Sequence, residues 1–143
     1  MKRFLSLRKL FFSYFLVSLL TGAQAQVLTG IEVLAARDFD LLKGKRVGLV
    51  TNPTGVDGSL RSTIDILNAH VNLTALFGPE HGVRGDYSAG DHVGDQVDRQ
   101  TGIPVFSLYG SSRKPSGEAL ELVDVLVYDI QDIGVRSYTY IST

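Results

Sequence analysis

Apolar runs and polar clusters alternate along this chain in a regular order. Residues 46–51 (RVGLVT) form a nearly continuous apolar run, as a strand covered on both faces requires. The run stops at Asn52-Pro53-Thr54-Gly55, a turn cluster. Residues 71–77, 103–108 (IPVFSL) and 125–128 repeat the pattern, with Pro104 at the start of its strand, where proline is tolerated. Between them lie helical patterns. Ile31, Leu34, Ala35 and Phe39 recur at near-helical spacing over residues 31–42, and Lys43-Gly44-Lys45 ends that segment. Asp57-Gly58-Ser59 offers caps for a helix running to about Ala69, with Leu60, Ile64 and Leu67 on one face and Arg61, Asp65 and Asn68 opposite. Residues 116–123 predict a short helix, and residues 136–143 the start of another. From 78 to 103 no periodic segment appears, and loops of that length usually have work to do.

This alternation predicts an α/β fold: a Rossmann-like parallel sheet with flanking helices. The crossover between the first two strands contains a helix, so they should be parallel neighbours. Parallel strands have a consequence for chemistry. Each predicted strand ends in a polar cluster: Thr51-Asn52, Glu80-His81, Tyr109 to Ser111, and Asp129 to Asp132. All four should lie along the carboxyl edge of the sheet, where ligands bind in open α/β folds. Leu76-Phe77-Gly78-Pro79-Glu80-His81-Gly82-Val83-Arg84 is the most pointed of these, an apolar run that turns sharply at Gly-Pro into a carboxylate, an imidazole and a guanidinium.

Composition changes the picture at the ends. Lys2, Arg3, Arg8 and Lys9 precede an apolar stretch over residues 10–20, and Ala23-Gln24-Ala25 follows. Residues 1–25 therefore read as a signal peptide, with a mature chain from Gln26 and export to the periplasm or beyond. The apolar stretch is shorter than the ~20 residues a span needs, so no stable membrane span is expected after cleavage; an uncleaved anchor is the alternative. Four of the 14 basic residues and none of the 15 acids lie in that segment, which leaves the remainder at a net charge of −5. A nucleic-acid partner would want the opposite sign. The absence of cysteine excludes disulfides, thiolate metal sites and a lipid-modified N-terminal cysteine. Residues 26–143 could make one small domain. However, the chain stops at Ser142-Thr143 directly after a tyrosine-rich segment, with no cap, linker or polar tail, so a fragment is expected.

The motifs narrow the chemistry. TNPTGVDG after the first strand fits neither G-x-G-x-x-G nor the P-loop, which argues against a nucleotide cofactor, and no G-x-S-x-G nucleophile elbow occurs. No cofactor is expected. Glu80 with Asp129 or Asp132 is the favoured catalytic set, because two carboxylates across a cleft are what glycoside hydrolysis uses. The plainer reading of either aspartate is a helix cap or a partner for Arg136. His81, His92 and aspartates 86, 91, 95 and 98 supply metal donors, but at spacings matching neither H-E-x-x-H nor an EF-hand. His70, closing a helix, reads as a cation favoured by the dipole. Asn72-Leu73-Thr74 matches a glycosylation sequon inside a predicted buried strand and is discounted. Arg136 and Tyr140, four apart, should share a helical face. Tyr109, Tyr138 and Tyr140 offer flat apolar bodies with a hydroxyl, useful against a sugar in a chain without tryptophan.

Four blocks, VGLVTNPTGV, LFGPEHGVRGD, the AGD-to-SLYG stretch and VYDIQDIGVRSYTYIST, together resemble the NamZ-type exo-β-N-acetylmuramidases, formerly a domain of unknown function. The resemblance runs from about Gly30 to the last residue. It implies a Rossmann-like N-terminal domain, a C-terminal domain, and a cleft between them. It also implies a glycosidase releasing N-acetylmuramic acid from non-reducing ends of peptidoglycan fragments. Carried over by motif, Glu80 is the leading catalytic carboxylate and Asp129 and Asp132 its partners, with Asn52, His81, Arg84, Arg136 and Tyr138 as sugar contacts. Either Arg84 or Arg136 would grip the lactyl carboxylate that distinguishes N-acetylmuramic acid from N-acetylglucosamine. The rival classes are an exported sugar-binding protein without catalysis and a metal-dependent amidohydrolase of wall peptides.

Overall fold

The structure, a computed structural model, describes residues 27–88, 96–110 and 113–140. The expected signal peptide, Ser111 and the last three residues lie outside that set. Among the described residues, five strands form one sheet in the order β3-β4-β2-β1-β5: β1 (Arg46–Thr51), β2 (Asn72–Gly78), β3 (Gln96–Val97), β4 (Pro104–Ser107) and β5 (Val125–Asp129). β1 pairs in parallel with both β2 and β5, and β2 with β4. The four predicted strands thus point one way, and their carboxyl ends share an edge. β3, which periodicity could not reveal in two residues, pairs antiparallel with β4. The helices are α1 (Gly30–Ala36), α2 (Thr63–His70) and α3 (Gly117–Leu120).

Why β1 and β2 are central is plain from their composition. Every residue of β1 after Arg46 is buried, and apolar groups cover both faces. One face packs Val47, Leu49, Leu73 and Leu76 against Ile64 and Leu67 of α2. The other packs Val50, Ala75 and Phe77 against Leu108 and Ala119. Leu73 and Leu76, an odd number of residues apart, share a face because the register slips between Val47 and Gly48. Thr74 is the residue skipped. A bulge of this kind changes the phase of side-chain alternation, and the Thr74 hydroxyl uses the freedom to donate to Leu122 O at 2.7 Å.

All three helices are shorter than their patterns, the one expected over 116–123 covering only Gly117–Leu120. The expected helix over 31–42 ends at Ala36, because Asp38 and Phe39 take left-handed φ of 53° and 51°, and a 3₁₀ turn (Asp40–Leu42) follows. The detour buries the Phe39 ring, which stacks on His70. The second expected helix starts late. Asp57 accepts from the backbone of Ser59 and Arg61 and so closes a turn, while Ser62 caps α2 through Ile64 N. Leu60, expected on the buried face, instead has φ 62° and is exposed. Residues 136–140 do not form the predicted helix: a turn spans 136–137, and Arg136 and Tyr140 share no helical face.

The outer strand β5 is tied to β1 by charge as well as by its ladder. Arg46 Nη2 and backbone N contact the two oxygens of Asp124 at 2.7 and 2.8 Å. These bonds lower the Asp124 pKa to about 2. The stabilisation is therefore complete above the ordinary aspartate value near 4 and is lost as pH falls toward about 2. Asp124→Asn should flatten the acid limb of the stability curve between those values, as read by urea titrations at stepped pH.

Candidate active site

The tips of β1 and β5 are clipped together. Thr51 Oγ1 donates to Asp129 O at 2.8 Å. One turn beyond, Asn52 Oδ1 accepts from the backbone N (3.0 Å) and hydroxyl (2.6 Å) of Thr54. Thr54 Oγ1 in turn accepts from Gln131 N at 2.8 Å. Gly55 is required in this corner, since a Cβ there would stand 2.2 Å from Thr51 Oγ1. Asn52 ends up 2% exposed, with Nδ2 buried. On the β5 side, Asp132 accepts from Gly134 N through Oδ1 at 2.6 Å, and its Oδ2 is buried and unpartnered.

The tip of β2 carries the carboxylate. Pro79 is fully buried, and Gly82 N donates to Pro79 O at 3.0 Å to close a four-residue turn. His81 occupies its third position with φ 71°, where a glycine or asparagine is the usual choice. Such a conformation in a histidine is a local strain of the kind that clusters at functional sites. The ring is held by Nδ1, 3.0 Å from Tyr87 O. A carbonyl only accepts, so Nδ1 carries the hydrogen in that bond. Glu80, half-buried on the same turn, accepts from Thr139 Oγ1 at 3.1 Å. The Tyr109 hydroxyl at the tip of β4 also bonds to Glu80, and that bond together with the carboxylate's charge raises the Tyr109 pKa. Burial raises the Tyr140 pKa, opposed by a hydrogen bond from the Asn52 side chain and reinforced by the charges of Tyr138 and Glu80. The Tyr138 and Tyr140 rings meet edge to face, 5.8 Å apart. Glu80, Tyr109, Thr139, Tyr140 and Asn52 therefore form one neighbourhood drawn from four separate stretches of chain.

Other candidates are engaged elsewhere. Arg84 turns its guanidinium to Asp98 (2.6 and 3.0 Å) and Asp65 (2.8 Å). Its side chain is 14% exposed. With two carboxylates in its fork, Arg84 has no free edge for a sugar carboxylate. The Asp129 carboxylate accepts from Thr63 Oγ1 at 2.5 Å, at the first residue of α2, where the helix dipole favours an anion. There it borders a groove of about 510 Å³ alongside β5, lined by Ile31, Leu34, Val125 and Val127 among others. Arg136 is exposed and forms no ion pair among the described residues. Of the metal-donor set, His92, Asp91 and Asp95 lie outside the described residues. His81 is held by Tyr87, and Asp98 by Arg84 and Thr101. Among the described residues, no helix is long and apolar enough to cross a membrane.

Three partners escaped sequence reasoning. Thr139 holds Glu80 from 59 positions away, and no spacing rule reaches that far. Tyr87, which positions His81, lies in a stretch without periodicity. Thr54 had a legible signal: Asn two residues before a threonine is the pattern of a side-chain-closed turn.

An open, mostly parallel α/β sheet whose carboxyl edge gathers a carboxylate, two tyrosines and a buried amide defines a Rossmann-like protein with a polar cluster at that edge. Residues 47–143 match the family described as exo-β-N-acetylmuramidase NamZ, N-terminal, and the chain belongs to that family. It is 57% identical over 125 residues to the peptidoglycan β-N-acetylmuramidase NamZ of Bacillus subtilis (strain 168), covering 86% of this chain and 30% of that protein. Two crystal structures of DUF1343-family proteins from Bacteroides fragilis NCTC 9343 share the fold. One matches with a TM-score of 0.71 at 63% identity, over 80% of this chain and 29% of the other. The second matches with a TM-score of 0.59 at 34% identity, over 82% and 30%. The chain thus spans under a third of the length of these relatives.

Proposed function

We propose that this chain supplies the Rossmann-like wall of an exo-β-N-acetylmuramidase, an exported glycoside hydrolase that frees N-acetylmuramic acid from non-reducing ends of peptidoglycan fragments. The observation that carries this reading is the placement of Glu80. Its carboxylate stands on a buried-proline turn at the carboxyl edge of the sheet, oriented by Thr139 and Tyr109, within the segment matched to the family. In the proposed mechanism Glu80 serves the proton transfer at the glycosidic oxygen. Asp132, whose Oδ2 is uncommitted, is the second acidic group at the sugar. Asp129, bonded to Thr63, acts as a brace between β5 and α2. Asn52, His81, Tyr109, Tyr138 and Tyr140 form the substrate wall, and residues 1–25 direct export.

The first experiment is direct: incubate the intact protein with a chromogenic β-N-acetylmuramide and follow release of the sugar. Turnover is expected. Binding without turnover would identify a sugar-binding protein instead, and sensitivity to chelators a metal-dependent hydrolase.

Because Arg84 is occupied, the lactyl carboxylate falls to Arg136. A planar guanidinium grips a carboxylate through paired hydrogen bonds. Losing such a charged bond costs about 1.5–3 kcal/mol. Arg136→Ala should therefore lower kcat/KM on the muramide roughly tenfold to a hundredfold, while a matched N-acetylglucosaminide is little affected. Equal losses on both substrates would remove Arg136 from that role.

A further inference from the structure

The turn that bears Glu80 places two successive residues, His81 and Gly82, at positive φ, 71° and 76°. A backbone of this shape persists only where its surroundings hold it. Tyr87 meets the turn at two points. A Cβ on Gly82 would stand 3.0 and 3.3 Å from Cδ2 and Cε2 of the Tyr87 ring, so the ring packs directly on the glycine. Tyr87 O accepts from His81 Nδ1 at 3.0 Å. The far end of the side chain is anchored as well. The Tyr87 hydroxyl donates to Gln96 Oε1, and Gln96 belongs to β3, which pairs with β4. Tyr87 is thus a strut between the sheet and the turn, and its carbonyl is fixed against the imidazole. The His81 ring itself is half-buried. Its Nε2 is open to solvent and has no partner among the described residues.

The carbonyl does more than hold the ring still. A neutral imidazole carries one hydrogen, on either nitrogen, and the partner at one nitrogen selects which. A carbonyl at Nδ1 selects the Nδ1–H form, and the lone pair then lies on Nε2. We propose that Tyr87 is a positioning residue that selects this form of His81, so that Nε2 of the neutral ring accepts a hydrogen bond from a hydroxyl of the bound sugar. The proposal rests on the glycosidase reading for the identity of the ligand, whereas the selected tautomer is independent of it. It also accounts for a histidine at a position whose backbone suits glycine or asparagine. The imidazole supplies an acceptor beside Glu80 that neither of those residues could supply in the same form.

The test reads the tautomer directly, by NMR of the histidine side-chain nitrogens in the intact protein. His81 is assigned from the signals lost in His81→Asn. In the wild type, the neutral ring should be in the Nδ1–H form, and in Tyr87→Ala, where the strut is gone, the two forms should mix. Binding of N-acetylmuramic acid supplies the second arm. Asparagine tolerates the left-handed backbone, so His81→Asn removes the ring without straining the turn. It should weaken binding about threefold to tenfold, as the loss of one neutral hydrogen bond predicts. Tyr87→Ala should lose about as much, and Tyr87→Phe, which keeps the ring on Gly82, should recover most of it. The double variant His81→Asn with Tyr87→Ala should bind within about twofold of His81→Asn alone, because residues that act through one another are not additive. An Nε2–H ring in the wild type, or losses that multiply in the double variant, would overturn the proposal. The wild-type spectrum needs no change at Tyr87, so it decides even where Tyr87→Ala fails to fold. Muramide turnover alongside either of those results leaves the hydrolase reading intact. The Nδ1–H form with non-multiplying losses, but without turnover, sustains the role of Tyr87 and overturns the hydrolase. If the sugar does not bind and no turnover occurs, both fall.

Discussion

Glu80→Gln should reduce kcat on a chromogenic muramide by a hundredfold or more while leaving KM nearly unchanged. The substitution is isosteric. A glutamine oxygen can still accept from Thr139 and Tyr109, the two hydroxyls that orient the wild-type side chain. The amide cannot exchange a proton with the glycosidic oxygen, however, and general acid–base catalysis by a positioned side chain contributes roughly 10²–10⁴ in rate. The size of the loss should also depend on the leaving group. A nitrophenolate departs with little protonic help, so a muramide carrying it should suffer less than a natural disaccharide from the wall. Steady-state kinetics on the two substrates would show this split. A variant retaining full kcat on both would remove Glu80 from the chemistry, and a rise in KM alone would reduce it to a binding group.

The second large effect is on stability, and it concerns Arg84. Its guanidinium lies between Asp98 on the strand-connecting loop and Asp65 of α2. The Asp98 side chain is only 4% exposed, and the Arg84 bonds hold its pKa below the ordinary range, aided by Thr101 and opposed by burial. Arg84→Met would leave that carboxylate buried without its countercharge. Breaking such a pair from one side costs about 3–5 kcal/mol, which urea denaturation at neutral pH would read directly. The sign with pH follows from the depressed carboxylate. In the wild type, the contribution is full above the ordinary aspartate value near 4 and fades as pH falls through the lower folded value. In Arg84→Met the stranded group gains from protonation, so the difference between the two proteins should narrow on acidification. Arg84→Met combined with Asp98→Asn should recover much of the loss. If Arg84→Met instead kept its stability and lost discrimination for the lactyl group, the assignment of that group to Arg136 would fail.

The parallel sheet was legible because each strand is a short apolar run stopped by polar turn residues, and burial on both faces imposes that pattern. Four strand tips along one edge then follow from topology alone. The details that failed have specific causes. Leu60 fits a helical face by spacing, yet Asp57 spends its carboxylate on the backbone of Ser59 and Arg61, which closes a turn and delays the helix to Thr63. β3 is two residues long, below the length at which alternation can be recognised. Arg84 looked available because nothing local pairs with it, and its partners lie 14 and 19 positions away. For the same reason Glu80 could be located from sequence but its support, Thr139 and Tyr109, could not. Turn chemistry is written locally, whereas the surroundings of a side chain depend on which distant segments the sheet brings together.

The pairing of β1 with β5 has a consequence for assembly. Thr51 and Asp129 meet across 78 positions, although the strands that bear them are immediate neighbours. Contacts of such separation carry a loop-closure cost that is repaid only late in folding. The hydrogen bonds that join Asn52, Thr54 and Gln131 therefore cannot form until β5 has docked. A ligand that touches both loops would thus select chains in which β5 has already paired with β1.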